Sequence, residues 1–96
     1  MGGIPIARIG EVASREVDIE GTVTRLWGLS NPTILQVGLI EGASGTIKFT
    51  AWRASDVAMV EEGQRVRLRS VARNWYRGRV SVALTGWSRV IFPGRE

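Results

Sequence analysis

The sequence predicts an all-β fold, a small five-stranded barrel, and three observations support that fold class. Apolar and polar residues alternate with a period of two over most of the chain, as they do in strands with one buried face. The 96 residues are 44% hydrophobic and 23% charged, which is the balance of one ordinary globular domain. Only one short segment has helical character.

Five strands are predicted, with the short helix between the third and the fourth. In the first strand Val17, Ile19 and Val23 are expected to face the core, and Gly21 predicts a bulge or sharp bend. The predicted strands are residues 16–26, 33–40, 46–52, 64–73 and 79–84, and the predicted helix is 54–59. Segment 87–92 is expected to extend the last strand after a break at Gly86.

The phases of the other strands follow from the same alternation. In the second strand Leu35, Val37 and Leu39 alternate with polar or small residues and are the expected apolar face. The inward positions expected in the later strands are Ile47, Phe49, Ala51, Val66, Leu68, Val80, Val82 and Leu84.

Three strands, a short helix and two further strands are the order of elements in the OB-fold, a five-stranded Greek-key barrel closed against one helix. The main alternative is an SH3-like barrel, which usually has no helix between strands 3 and 4. We therefore expect an N-terminal extension over residues 1–15, one OB-fold domain over 16–92 and a C-terminal tail over 93–96.

The composition argues against several classes of enzyme. The chain has no cysteine and no histidine. Disulfides, thiolate metal sites, the commonest zinc ligand and the commonest general base are therefore excluded. The acidic residues are scattered, and there is no Walker A or GxGxxG motif. We expect a protein without cofactor or metal that binds a ligand and is not an enzyme.

The charge balance favours a polyanionic ligand. The chain has 13 basic and 9 acidic residues, a net charge of +4, and every basic residue except Lys48 is arginine. Arginine forms bidentate bonds to phosphate and stacks on bases. A GC-rich genome explains the arginine-to-lysine ratio equally well, but it does not explain where the arginines lie.

The third strand carries the first candidate binding residues. Trp52 is predicted on its outward face with Lys48 and Thr50, and Arg53 follows directly. OB-folds bind ligands on the outer face of strands 2 and 3, between the loops that join strands 1–2 and 4–5. Trp52 is therefore a candidate platform for a nucleobase. The alternative is that its indole packs under the helix or caps the barrel.

The hairpin between strands 4 and 5 is the second candidate. It combines basic and aromatic residues, as a groove for a single nucleic-acid strand requires. Adjacent residues of a strand face opposite ways, so only one of Trp75 and Tyr76 is expected in the groove, and we favour Tyr76. The alternative is a solvated turn with one aromatic ring in the core. The candidate cations here are Arg73, Arg77 and Arg79.

The loop after the first strand is the third candidate. Arg25, Trp27 and Asn31 are expected across the groove from the hairpin. It is equally consistent with the sequence that Trp27 closes one end of the barrel.

Two other features are more simply structural. Arg65, Arg67 and Arg69 form a stripe that is typical of a solvated strand face, and such charges also discourage edge-to-edge pairing. Trp87 is expected to pack at the barrel rim.

Residues 44–52 followed by residues 60–68 resemble the OB domains of archaeal replication protein A and the related crenarchaeal single-stranded DNA-binding proteins. Shared features are a strand of the form G-x-hydrophobic-K-hydrophobic-T-x-W, a later EG-x-x-V-x-hydrophobic strand and the turn at 76–79. The resemblance implies an OB-fold that binds single-stranded DNA by stacking bases on Trp52 and Tyr76.

The same resemblance implies the biological setting. We expect binding with little sequence preference in replication, recombination or repair, in the cytoplasm and associated with the nucleoid. No segment approaches the roughly 20 apolar residues of a membrane span, so no membrane partner is expected. Two alternatives stay open. One is an RNA-binding protein, and the other is a structural subunit that contacts other OB-fold subunits or replication and repair proteins.

Overall fold

The structure is a computed structural model that describes residues 16–28, 31–76 and 78–93, without the side chain of Tyr76. Its elements are β1 (Glu16–Leu26), β2 (Ile34–Gly42), β3 (Gly45–Trp52), a 3₁₀ turn (Arg53–Ser55), β4 (Arg65–Tyr76), β5 (Arg79–Leu84) and β6 (Arg89–Ile91). The bounds of β1 and β5 are those predicted. No helix among the described residues is long and apolar enough to cross a membrane.

Five strands close into a barrel. They pair in the order β1–β2–β3–β5–β4, and β4 pairs again with β1. All of these pairs are antiparallel except β3 with β5, which is parallel. β6 pairs antiparallel with β4 and lies outside the ring. This architecture confirms the predicted OB-fold.

β1 serves both halves of the barrel. Its register shifts lie at residues 17–19 and 23–25, on either side of the bulge or bend predicted at Gly21. Residues 16–22 pair with β4, and residues 22–26 pair with β2. The change of partner therefore falls next to Gly21. A Cβ atom on Gly21 would lie 2.5 Å from the backbone oxygen of Glu41 and 2.6 Å from Cγ2 of Ile40. The missing side chain lets β1 and β2 approach this closely.

The variant Gly21→Ala is expected to lower the free energy of unfolding by about 1–3 kcal/mol, because the added methyl group overpacks a backbone contact. Urea unfolding measures this as a lower midpoint at an unchanged slope. Gly86→Ala is the matched control, because a Cβ there meets no atom within 4 Å. A midpoint for Gly21→Ala equal to that of the control would contradict the close approach.

The core is formed by the inward side chains of all five barrel strands and by Val60. The largest side chains that are fully buried are Ile19, Ile40, Leu68, Leu84, Val23, Val66, Val71 and Val82. The inward phases predicted for β1, β3, β5 and the first half of β4 are confirmed.

The phase predicted for β2 is wrong from Gln36 onwards, although Leu35 packs against the core as expected. Gln36, Gly38 and Ile40 are the buried residues of this strand, whereas Val37 and Leu39 are half-buried on the outer face. The buried amide is tolerated because both its nitrogen and its oxygen are hydrogen-bonded. Its Nε2 donates to the Val60 carbonyl oxygen at 2.8 Å, and its Oε1 accepts from the Val60 N–H at 2.9 Å.

The helix predicted over residues 54–59 is also wrong. Only the 3₁₀ turn Arg53–Ser55 forms, and it is followed by Asp56, which has a left-handed backbone with φ of 51°. The two bonds between Gln36 and Val60 then fix the end of the following segment, which has no regular secondary structure. The Gln36 side-chain amide thus pairs with the backbone of Val60 as a neighbouring strand would, and the segment between the 3₁₀ turn and Val60 does not form a helix.

β4 changes phase at Ser70, which has φ of 57°. The Ser70 N–H donates to Oδ1 of Asp18 at 2.8 Å, and its carbonyl oxygen accepts from the Ser88 hydroxyl at 2.8 Å. Beyond this irregularity the buried position is Val71, so the alternation of the second half of β4 is shifted by one residue.

The chain end also differs from the prediction. Segment 87–92 was expected to extend β5, but β6 pairs with β4 instead. A hydrogen-bonded turn separates the two strands. The Ser88 hydroxyl accepts from the Thr85 N–H at 2.8 Å, and the Ser88 N–H donates to the Thr85 carbonyl oxygen at 3.0 Å.

Candidate functional site

One row of residues crosses the outer face of the barrel over all five ring strands. Strand register places its members side by side in the order Arg25, Leu39, Lys48, Ser81 and Asn74. We call this set the outer row. It carries two cations and no carboxylate, so the row itself is positively charged.

A second row beside it is small and mostly apolar. Val37 lies opposite Thr50, and Thr50 lies beside Ala83 of β5. Trp52 follows at the end of β3, opposite Ile34, and its side chain is 41% exposed. These residues place small, mostly apolar side chains beside the exposed indole of Trp52.

Trp27 borders this face from the loop after β1. Its backbone N–H donates to the Val37 carbonyl oxygen at 3.0 Å, which fixes the loop against β2. The guanidinium carbon of Arg25 lies 5.1 Å from the centre of the indole, within the range of a cation–π contact. Trp27 also lines a shallow cleft with Val37 and Lys48. The sequence is consistent with Trp27 either across the groove from the hairpin or at one end of the barrel. In the structure it lies beside the outer face.

Two larger clefts meet at Trp27. The first, which we call the Lys48 cleft, has a volume of about 530 Å³ and is lined by Trp27, Leu39, Thr46, Lys48, Arg79 and Ser81, among others. The second, the Asn31 cleft, has a volume of about 440 Å³ and includes Trp27, Asn31, Ile34, Val37, Arg53 and Met59. Both volumes lie within the usual range of small-ligand sites.

The cations of the Lys48 cleft are not neutralised within the described part of the chain. Lys48 and Arg79 make no ion pair there. Their charge therefore acts on whatever enters the cleft. Arg53 differs, because its Nε donates to the Pro32 carbonyl oxygen at 2.8 Å and the guanidinium is held beside the Asn31 cleft.

The arginine stripe on β4 is neutralised by β1. Arg65 and Arg67 both contact the carboxylate of Glu20, at 2.8 and 3.1 Å. Arg69 lies 3.6 Å from Asp18. The hydrogen bond from Arg65 holds the pKa of Glu20 below its usual value, and Arg67 adds to this effect while desolvation opposes it. The stripe is thus an ion-pair network with β1, a pairing that the expected solvated strand face did not include.

Not all of the predicted binding residues join the outer face. Arg73 lies opposite the buried Val82, and Trp75 lies opposite Val80. Both follow the alternation of the core residue Val71, although Trp75 is 57% exposed at the end of the hairpin. Their role in binding stays a prediction.

Two other predicted binding residues, Tyr76 and Arg77, lie partly or wholly outside the described residues. Tyr76 is the last residue of β4, and its backbone pairs with Arg79. Its side chain lies outside the described part of the structure, and so does Arg77. Gly78, with φ of 77°, supplies the left-handed residue of the turn between β4 and β5.

Sequence reasoning missed several residues of the site. Val37 and Leu39 were expected in the core, yet they form part of the apolar surface of the outer face. Ile34 and Met59 line the Asn31 cleft. A signal for the phase of β2 existed in Gly38, because a glycine inside a strand often marks a close approach of another backbone. A Cβ atom there would clash with the carbonyl oxygen of Arg25.

The fold and this outer face define an OB domain, and solved structures of the same fold support that class. An OB domain from Methanosarcina mazei is 26% identical, with a TM-score of 0.83 over 98% of this chain and 87% of that chain. An OB domain from Thermoplasma acidophilum is 18% identical, with a TM-score of 0.70 over 92% of this chain and 86% of that chain.

A murine DNA-binding protein bound with double-stranded DNA shares the fold as well. It is 13% identical, with a TM-score of 0.71 over 94% of this chain and 47% of that chain. No protein-family model and no curated protein matches the sequence. The comparisons thus place the chain among OB-folds and leave the archaeal replication protein A resemblance at the level of the sequence motif.

Proposed function

We propose that this OB domain binds single-stranded DNA without catalysing a reaction on it. The observation that carries the proposal is the composition of the outer face. The exposed indoles of Trp27 and Trp52 lie beside apolar residues of the outer face. The cations of the Lys48 cleft have no acidic partner among the described residues. Exposed aromatic rings next to unneutralised cations are what a single nucleic-acid strand requires.

Each part of the strand has a matching group. Bases stack on indole rings, and each such contact is worth about 1–3 kcal/mol. Phosphates are attracted to Lys48 and Arg79, which line one cleft together. A duplex keeps its base faces stacked inside the helix, so flat aromatic platforms favour the unpaired strand. The DNA complex of a murine protein with the same fold supports nucleic acid as the ligand class.

This chemistry recognises features that every nucleotide has. A ring face and a phosphate carry no sequence information, so we propose binding with little sequence preference. Such binding fits a role in replication, recombination or repair, in keeping with the motif resemblance around Trp52.

Titration with oligo-dT is expected to quench the tryptophan emission at micromolar protein and low salt, because two of the four indoles lie on the proposed face. The logarithm of the binding constant should fall with the logarithm of the salt concentration by about 0.7 per phosphate contacted. Competition with matched RNA and with duplex DNA ranks the three ligands. Unchanged emission, or tighter binding of the duplex, would contradict the proposal.

A second candidate function is that of a structural subunit in a multi-subunit complex. It is favoured by Trp87, which was expected to pack at the barrel rim but is 84% exposed on the turn before β6. An exposed indole of this kind suits a surface that another protein covers. In that case the domain alone has little affinity for oligonucleotides, and size-exclusion chromatography with and without DNA separates the two functions.

A further inference from the structure

We propose that the Asn31 cleft is a second nucleotide subsite, and that it prefers a base with a keto oxygen to one with an amino group at the same position. The inference rests on the proposed function, because it concerns the next nucleotide along the same strand. Trp27 lines both the Lys48 cleft and the Asn31 cleft. A strand that crosses the outer face therefore passes this indole between one subsite and the next.

The cleft has the size and the surface of a base site. Its volume is about 440 Å³, and Trp27, Ile34 and Val37 supply apolar lining. Met59, 59% exposed, adds an adaptable apolar side chain. The stacking surface is thus present, and the polar groups decide which base edge it accepts.

Asn31 presents only hydrogen-bond donors to a ligand. Its Oδ1 accepts from the Thr33 N–H at 2.9 Å and from the Thr33 hydroxyl at 2.7 Å. A backbone N–H can only donate, so this contact fixes which end of the amide is oxygen. The Nδ2 group, with its two donors, is the part of the amide left for a ligand.

Arg53 adds further donors. Its Nε is used on the Pro32 carbonyl oxygen, and its backbone N–H donates to the Thr33 carbonyl oxygen at 2.9 Å. The guanidinium is thereby anchored to the same loop that carries Asn31. Its Nη groups, which can only donate, make no hydrogen bond with the described residues.

The other side-chain amide of the cleft is already occupied. Both ends of the Gln36 amide are bonded to Val60. The polar side chains of the cleft therefore offer donors and no unused amide oxygen. Thymine, uracil and guanine present a keto oxygen to such donors, whereas cytosine and adenine present an amino group there. A donor that faces another donor loses its hydrogen bond on desolvation.

The test compares oligo-dU with oligo-dC of equal length, because these bases differ in the 4-keto and 4-amino groups and in protonation at N3. The wild-type domain is expected to bind oligo-dU about 3- to 10-fold more tightly, the range of one net hydrogen bond. Asn31→Asp keeps the acceptor for the Thr33 N–H but replaces the Nδ2 donor with an oxygen. It should weaken both ligands and shift the ratio towards oligo-dC.

Asn74→Asp is the matched control, because it makes the same chemical change and adds the same charge within the outer row. It should lower both affinities and leave the ratio at the wild-type value. Arg53→Met is a second variant in case Asn31→Asp unfolds, and it should bring the ratio towards one. Circular dichroism establishes that each variant is folded.

The outcomes separate the inference from the proposed function. Binding of both oligomers with a ratio that neither Asn31→Asp nor Arg53→Met changes overturns the second subsite and leaves the proposed function standing. A wild-type domain that binds neither oligomer overturns both. A ratio that shifts in Asn74→Asp as much as in Asn31→Asp assigns the preference to charge and also overturns the inference.

Discussion

Replacing Trp52 with alanine is expected to weaken oligo-dT binding about 5- to 150-fold, the equivalent of the 1–3 kcal/mol that one base–indole stack contributes. The effect should be large because the exposed indole lies on the outer face, opposite Ile34 and two residues from Thr50. It should also be confined to binding, since a side chain that is 41% exposed contributes little to the core. Fluorescence anisotropy of a labelled oligomer measures it without relying on the removed indole.

Two control variants make the result specific to this face. Trp87→Ala removes an indole that is more exposed and lies on the turn before β6, outside the proposed site. Arg67→Ala removes a cation that is paired with Glu20. Both are expected to change the affinity less than Trp52→Ala. A larger loss for Arg67→Ala would move the binding surface to β4.

The variant Gln36→Leu is expected to lower the free energy of unfolding by about 2–6 kcal/mol, since each buried group left without its partner costs about 1–3 kcal/mol. The leucine fills a similar volume but leaves both the N–H and the carbonyl oxygen of Val60 unpaired. Val60 itself is only 5% exposed, so water does not readily replace the amide. Urea unfolding followed by circular dichroism measures the loss.

Gln64→Leu is the matched control for this prediction. The Gln64 side chain accepts one hydrogen bond from the Glu61 N–H at 2.7 Å in an exposed turn, where water can substitute for it. Its replacement is expected to change the free energy of unfolding by less than about 1 kcal/mol. Equal losses for the two variants would show that the buried bonds between Gln36 and Val60 do not hold the segment after β3.

The strands that the sequence predicts best are those whose alternation is unbroken. β1 and β5 have the predicted bounds, because valine and isoleucine alternate there with polar residues and turn residues flank each strand. Gly21 indicated an irregularity in the middle of β1. The change of partner lies beside it, whereas the register shifts lie on either side of it and were not predictable from the glycine.

The phase of β2 was not predictable from hydrophobicity alone. A preference for burying the larger apolar residues selects Val37 and Leu39, which lie outside the core, and places only Leu35 correctly. The deciding contact is the bond between Gln36 and Val60, which joins segments far apart in the sequence. Long-range satisfaction of one buried amide thus overrides the local pattern.

The phase change in β4 has a similar origin. Ser70 adopts a left-handed backbone because Asp18 and Ser88 bind its N–H and its carbonyl oxygen. Neither partner is near it in sequence. For this reason the positions of Arg73 and Trp75 relative to the outer face were not predictable, whereas the outward position of Lys48 on the unbroken strand β3 was.

In the candidate site, too, features of a single strand were predictable and features that depend on distant contacts were not. Trp52 was found from one strand, and its outward position is confirmed by the structure. The two clefts at Trp27 depend on how the loop after β1 lies against β2, and the neutralisation of the β4 arginines depends on Glu20 of another strand. Sequence indicates which side chains are suited to a ligand, and tertiary register decides which of them act together.

The closure of the ring through the parallel pair of β3 and β5 has a consequence for folding. Lys48 of β3 pairs with Ser81 of β5, and the whole of β4 lies between these two strands in the sequence. Their pairing therefore closes a long loop. Contacts of this kind slow folding, and the outer row exists only once they have formed. A partly folded chain therefore lacks the ligand surface, and acquisition of the surface reports completion of the barrel.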